Sequence, residues 1–252
     1  MRINTMTCLA VASLTATPAL AQTAFDGFYI GGVIGAQLNT ASTAETLGTA
    51  GFLGLPATIT PRELTLGGAG VQGGLVTGYN FSAGSLVYGV EADLIFGDIN
   101  GSDSFSGAGI PGLAPDGLTT SASRSLGTRG SFRARIGTTV GESTLLFVTG
   151  GAAVGDASGT ANVVVNGAPG VAWAGAVDQT RWGWTIGAGA EFKLSNAVSL
   201  RGEYIYTDLG TQTVTALGNA TVRSVAALNG IDYVVGLPYQ GGALRAGVLF
   251  RF

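Results

Sequence analysis

The segment 244–252 alternates between two kinds of side chain. Leu244, Val248 and Phe250 occupy one set of alternate positions, and Arg245 and Arg251 occupy the other. Successive side chains of a β-strand point to opposite faces, so this period of two predicts a strand with one apolar and one charged face.

Seven other stretches of the chain show the same alternation. In the clearest of them Leu86, Leu94 and Phe96 alternate with Glu91 and Asp93. Each stretch has the ~9–11 residues that a tilted strand needs to cross a bilayer. The eight predicted strands are 28–38, 66–80, 86–98, 129–140, 145–156, 181–194, 199–209 and 241–252.

The connections between these strands alternate in length. Three are short (81–85, 141–144 and 195–198), whereas the stretches 39–65, 99–128, 157–180 and 210–240 are long. Short turns on one rim and long loops on the other are typical of outer-membrane barrels, and a soluble sandwich has no such asymmetry. We therefore predict an all-β fold, an eight-stranded antiparallel up-and-down transmembrane β-barrel with short periplasmic turns and long outer loops.

The beginning of the sequence has the features of a secretory signal. Arg2 precedes an apolar run over residues 8–20, and a small-x-small cleavage pattern follows at 19–21. We predict a cleaved signal peptide at 1–21 and a barrel domain at 22–252. Cys8 is the only cysteine of the chain, so the mature protein is expected to lack thiols.

The composition excludes several classes of function. Hydrophobic residues make up 46% of the chain and charged residues 11%, which argues against disorder. A net charge of -3 argues against a nucleic-acid partner. Without any histidine a Ser-His-Asp triad is impossible, so we expect no enzyme, no metal site and no cofactor.

Ten charged residues occupy the strand faces opposite the apolar ones. If the apolar faces meet lipid, these charges point into the lumen, and eight strands enclose a space just wide enough for side chains. We expect them to pair and to plug the barrel, with small or irregular conductance; an ion pathway or gate is the alternative. They are Glu91, Asp93, Arg133, Arg135, Glu191, Lys193, Arg201, Glu203, Arg245 and Arg251.

Aromatic residues cluster near the ends of the predicted strands. Tyrosine and tryptophan combine an apolar ring with one polar atom, which suits the boundary between lipid and water. The alternative is that they are ordinary core aromatics. The predicted interface residues are Phe28, Tyr79, Phe81, Trp182, Trp184, Tyr204, Tyr206 and Phe250.

Three segments carry a family resemblance: "DGFYIGGVIGAQ" at 26–37, "RWGWTIGAGAEFKLSNAVSLRGEYIYTDLG" at 181–210 and "LRAGVLFRF" at 244–252. They resemble the small eight-stranded outer-membrane barrels of Gram-negative bacteria, the opacity-like and OmpA-membrane-domain-like proteins often named as a porin family. The resemblance implies a monomer in the outer membrane, in contact with the lipid bilayer and lipopolysaccharide. It also implies periplasmic chaperones and the barrel-assembly machinery as partners during biogenesis, with Phe252 as the C-terminal assembly signal.

We expect a structural role in envelope integrity and surface presentation. The alternatives are a narrow porin for small solutes and a surface receptor or adhesin for an unknown ligand. The receptor role includes haem binding, in which tyrosines such as Tyr233 or Tyr239, or apolar packing, would hold the haem without histidine. The apolar stretches 51–61 and 160–177 are open to two interpretations. They form either an exposed patch that binds a partner or, for 160–177, a hairpin extending beyond the membrane and turning at 166–170.

Overall fold

The computed structural model describes residues 25–38, 42–47, 50–112 and 114–252, so the predicted signal peptide at 1–21 lies outside the described residues. The two helices in this part of the chain have four and five residues, too few to cross a membrane. The elements are β1 Gly27–Gln37, β2 Ser42–Thr46, α1 Ala50–Leu53, β3 Glu63–Leu66, β4 Gly70–Ala83, β5 Leu86–Phe96, β6 Ile99–Ser106, β7 Leu118–Val140, β8 Thr144–Val165, β9 Ala172–Lys193, β10 Val198–Gly218, α2 Ala220–Ser224 and β11 Tyr233–Arg251.

Eight of the strands form a closed antiparallel ring in the order β1-β4-β5-β7-β8-β9-β10-β11. The ring closes where β1 pairs with β11, from Tyr29 opposite Arg251 to Gln37 opposite Ala243. Closure leaves no strand edge in this part of the molecule, which is the condition for placing a sheet in lipid. The predicted eight-stranded barrel is confirmed.

The short turns also lie where the sequence predicts them, at 84–85, 141–143 and 194–197. Gly84 and Gly141 adopt φ values of +64° and +66° in two of these turns. Only glycine takes this left-handed conformation without steric cost, and so both turns can reverse the chain within a few residues.

The long outer connections are built largely of strands rather than of irregular loops. Strands β7 to β11 continue far beyond the ends predicted for them, and β2, β3 and β6 also lie in stretches predicted as loops. The extended hairpin is confirmed, because β8 and β9 pair from Thr144–Phe192 to Val164–Ala172 before the chain turns. The membrane barrel therefore continues into a second, outer half built mainly of strands.

The two halves differ in which face of the sheet is apolar. On β8, the outward residues Leu146 and Val148 are about half exposed, whereas Asp156 and Thr160 take the same outward face farther along the strand. The inward face is apolar in the outer half, where Ala161 is buried. The outward change from apolar to polar at 154–156 marks the level at which the surrounding solvent changes from lipid to water.

The outer half is split into two sheets. The ladder between β9 and β10 stops at Asp208–Trp184 and resumes at Leu217–Ala174. On the opposite side, β3 and β6 touch through the backbone nitrogen of Thr65, which donates to Oδ2 of Asp103 at 2.9 Å. The sheets β6-β7-β8-β9 and β10-β11-β2-β3 thus face each other, like the layers of a sandwich.

An apolar core fills the space between these sheets. Helix α1 inserts Phe52 between Trp173 and Tyr233, with ring centroids 5.1 and 5.4 Å away in edge-to-face contacts. Helix α2 adds the buried Val222 and is capped by Asn219, whose side chain accepts from the backbone nitrogen of Val222. The apolar residues of the stretches 51–61 and 160–177 contribute to this core, which explains their composition.

Candidate functional site in the barrel interior

The interior of the membrane half is lined by charged residues on the inward positions of β5, β7, β9, β10 and β11. Register places several opposite charges side by side on neighbouring strands. Glu91 lies opposite Arg133, and Glu203 lies opposite Arg245. Directly opposed residues of an antiparallel pair are close enough to interact, so part of the site follows from local pairing alone.

Glu91 is the centre of this interior. One carboxylate oxygen accepts a short hydrogen bond from Arg133. The other accepts from Nη1 of Arg201 at 2.5 Å and from the hydroxyl of Tyr29 at 2.6 Å, and Nη1 of Arg135 lies 3.9 Å away. All four of these partners are buried, so water cannot solvate the three guanidinium groups. The carboxylate of Glu91 therefore compensates their charge.

Glu191 forms a second centre nearer the short turns. Its Oε2 lies 3.3 Å from Nη2 of Arg135 and 3.5 Å from Nη2 of Arg201. Its Oε1 accepts from Nη2 of Arg251 at 2.5 Å and from the hydroxyl of Ser199 at 2.7 Å. Arg135 and Arg201 therefore bridge the two glutamates across the lumen.

The network continues toward the outer half through Asp93 and Arg245. Oδ2 of Asp93 lies 3.0 Å from Nη2 of Arg133 and 2.9 Å from Nη1 of Arg245. Nη2 of Arg245 in turn lies 2.9 Å from Oε1 of Glu203. The nine ion pairs of the described residues thus form one connected network, and no side chain in it is more than 7% exposed.

Lys193 does not join the other nine predicted residues, since none of those ion pairs includes it. It lies at the end of β9, next to the short turn, where its backbone nitrogen donates to the carbonyl of Ser143 at 2.8 Å. The partly exposed position lets water solvate the ammonium group.

Two aromatic residues of the interior are not among the predicted lumen residues. The guanidinium carbon of Arg135 lies 4.0 Å from the ring centroid of Phe147, and that of Arg201 lies 5.3 Å from the centroid of Tyr29. These cation–π contacts stabilise the arginines on their apolar side. Strand alternation is the signal that could have found both residues, because Tyr29 is out of phase with the outward Phe28, and Phe147 with the outward Leu146.

Comparison with known families agrees with this geometry. Residues 6–252 match the family model described as the outer membrane protein beta-barrel domain. The chain belongs to this outer-membrane β-barrel family. Its location is accordingly the outer membrane.

The similar proteins have names of the same kind. The 31 kDa outer-membrane immunogenic protein of Brucella melitensis is 32% identical over 179 residues, which cover 71% of this chain and 69% of the relative. The 22 kDa outer membrane protein of Rhizobium leguminosarum is 32% identical over 139 residues, covering 55% and 53%. The crystal structure of the outer membrane protein OprG from Pseudomonas aeruginosa has the same fold, with a TM-score of 0.55 at 14% identity, covering 92% of this chain and 99% of that one.

The eight predicted interface aromatics all take outward positions on this outer-membrane barrel. One level lies near the short turns, where Phe28 packs against Phe252 at 6.1 Å between centroids. Tyr79 and Phe81 lie at the same level, as does Phe250, on strand ends that also adjoin these turns.

The other level lies where the outward face becomes polar. Trp182 and Trp184 are 73% and 50% exposed there, and Tyr206 lies 5.6 Å from Trp184. Tyr204 is placed differently, because it pairs with Ala188 midway between the levels. Two aromatic levels separated by an apolar band are the arrangement that suits both boundaries of a bilayer.

Proposed function

We propose that this protein is a closed structural barrel, which contributes to envelope integrity and presents its outer half at the cell surface. The observation that carries the proposal is the connected ion-pair network, from Arg251 near the short turns to Glu203 and Arg245. Because each of these carboxylates is held by at least one buried arginine, solutes cannot pass without separating opposite charges in a low-dielectric interior.

The outer half adds a second obstruction. Its inner space is filled by apolar side chains, including Phe52, Trp173 and Tyr233. A hydrated ion crossing this layer would lose its water without gaining polar contacts, which is energetically costly. A solute would thus have to cross both the ion-pair network of the membrane half and the apolar core of the outer half. The structural role is therefore favoured over a narrow porin.

Planar-bilayer recordings test this proposal. The purified protein is expected to give small or irregular conductance, and liposomes that contain it are expected to swell no faster than liposomes without protein. A general porin reconstituted in parallel controls for the sensitivity of both assays. Steady large openings of the wild-type barrel would overturn the proposal.

The proposed surface presentation is supported by the polar outward face of the outer half and by the immunogenic naming of the Brucella relative. A cysteine at Thr160, on this face, should react with a membrane-impermeant maleimide in intact cells. A cysteine at Glu142, in a short turn, should react only after lysis. No native cysteine of the mature chain is expected to contribute to the labelling, since the only one in the sequence is Cys8 in the predicted signal peptide. Labelling of the Glu142 position in intact cells would contradict the orientation.

The tyrosines considered for haem do not favour a receptor role. Tyr233 is fully buried and shares a hydrogen bond of 3.1 Å with the hydroxyl of Thr46. Tyr239 donates to the carbonyl of Ser158 at 2.6 Å, and burial raises its pKa to about 12. Both groups are committed to the core of the outer half, so neither is offered to a surface ligand.

The same proposal covers the partners and the maturation of the chain. It assigns residues 1–21 to a cleaved signal peptide and Phe252 to recognition by the barrel-assembly machinery, with chaperones escorting the chain. It makes the barrel a non-enzymatic monomer in contact with lipopolysaccharide. The absence of histidine and the engagement of Glu91 and Asp93 in ion pairs support the non-enzymatic role.

A further inference from the structure

A cavity of about 60 Å³, with several charged side chains in its wall, lies where the membrane half meets the outer half. It shares Asp93 and Arg245 with the ion-pair network, and Tyr239 from the outer half also lines it. At roughly 10–15 Å³ for each water, the space would hold about four to six water molecules or one solute of similar total size. It therefore suits a small solute.

The charges that line this cavity are unbalanced. Its described lining contains three arginines, Arg124, Arg129 and Arg245, and one carboxylate, Asp93. That carboxylate is already occupied, because Oδ2 accepts from two arginines and Oδ1 accepts from the hydroxyl of Ser131 at 2.7 Å. Arg245 is balanced further by Glu203, whose Oε1 lies 2.9 Å from its Nη2, so the positive charge without a carboxylate partner at this described wall is that of Arg129.

Arg129 is the clearest case. None of the nine ion pairs of the described residues includes it, because the nearby carboxylates Asp93 and Asp98 attract its charge only from beyond ion-pair distance. Its guanidinium instead donates to Oε1 of Gln72 at 2.6 Å and to the carbonyls of Leu126 and Gly127 at 3.1 and 3.0 Å. Neutral oxygens solvate the charge but do not cancel it.

The imbalance extends through the barrel interior. Among the described residues, buried arginines outnumber buried carboxylates, and burying an uncompensated charge is costly. The arginines are Arg124, Arg129, Arg133, Arg135, Arg201, Arg245 and Arg251, and the carboxylates are Glu91, Asp93, Glu191 and Glu203.

We propose that this cavity binds one small oxyanion, of the size of acetate or phosphate, between Arg129 and Arg245. The planar guanidinium group matches carboxylate and phosphate oxygens in geometry and charge. The amide of Gln72, whose oxygen already accepts from Arg129, supplies additional N–H donors. The bound anion cancels positive charge that the protein's own carboxylates leave over, a role separate from the structural function proposed above.

A divalent cation is disfavoured as the occupant. Calcium and magnesium need several oxygen ligands, usually with more than one carboxylate. Asp93, the carboxylate of the described lining, is already shared by two arginines. The surrounding guanidinium groups would repel a cation, so the occupant is an anion.

Titration of the folded barrel in detergent micelles tests the site. Nitrogen-15 NMR spectra are recorded with sodium acetate, with sodium phosphate and with sodium chloride as reference, at constant ionic strength. We expect saturable shifts at Arg129 and Gln72 with at least one of the two oxyanions. Arg129→Gln should weaken that binding at least tenfold. Arg223→Gln, on the exposed side of helix α2, should leave it unchanged.

Gln72→Leu provides a variant that keeps every charge and is expected to weaken binding several-fold. If Arg129→Gln does not fold, as judged by gel mobility without boiling, Gln72→Leu serves as the variant that tests the binding site. Absence of saturation with both oxyanions, equal competition by chloride, or wild-type affinity in folded Arg129→Gln or in Gln72→Leu would each overturn the proposal. Loss of binding in Arg223→Gln as well would also overturn it, because the effect would then not be local.

Discussion

Replacement of Glu91 by alanine should give the largest loss of stability of any single change in the barrel. Glu91 contacts Arg133, Arg201 and Arg135, so its removal leaves charges without a partner in a buried space. Breaking a buried ion pair from one side typically costs about 3–5 kcal/mol. We expect a lower urea midpoint and a smaller fraction that keeps its folded mobility on gels without boiling.

Glu142→Ala is the matched control, since it removes the same side chain from an exposed short turn. That variant is expected to change the free energy of unfolding by less than about 0.5 kcal/mol. Glu91→Gln should fall between the two, because the amide retains hydrogen bonding but not the charge. Equal stability of the Glu91→Ala and Glu142→Ala variants would contradict the account of the network.

A second large effect is expected from arginine on the lipid-facing side. Val148 is 53% exposed and lies outward on β8, paired with Ile136 and Ala188. Arginine near the bilayer midplane of a barrel costs about 2–4 kcal/mol. Val148→Arg should therefore lower the stability of the protein refolded in lipid vesicles by about this amount.

Thr160→Arg is the control for this change, because it lies on the same face of the same strand but in the outer half. Its side chain is exposed and has water around it, so we expect a change within about 0.5 kcal/mol. Denaturant titration in vesicles compares the two variants directly. A similar cost at both positions would show that the solvent does not change along β8.

The sequence alone predicts the eight ring strands and the side of the sheet on which each charge lies. Both follow from the period of two, which assigned Glu91 and Arg133 to the lumen. The ion pair between these two residues also follows, because they lie on strands that are neighbours in the sequence order of the barrel. The pairs from Arg201 to Glu91 and from Arg245 to Asp93 do not, because they join strands that meet only across the closed barrel.

The outer half could not be predicted in the same way. Its inward face is built largely of small residues such as Ala157 and Ala161, whose alternation with polar neighbours is weak. The apolar face also changes side relative to the solvent at 154–156, so a rule that places apolar residues outward fails beyond that point. Only the packing of Phe52 and Trp173 into one core shows what these stretches do.

Along β8, the membrane half has an apolar outward face and an inward face toward the charged lumen, whereas the outer half has a polar outward face and an apolar inward face. Spin labels at single cysteines along β8 test this arrangement most directly. The first group lies on the lipid-facing side (146, 148 and 152), the second on the outward face of the outer half (158, 160 and 162), and the third on the inward face (147, 149 and 161). In vesicles, oxygen should relax the first group most strongly and a water-soluble nickel complex the second, and neither should reach the third. Oxygen-dominated relaxation at 147 and 149, or at 158 and 160, would contradict this arrangement of the faces of β8.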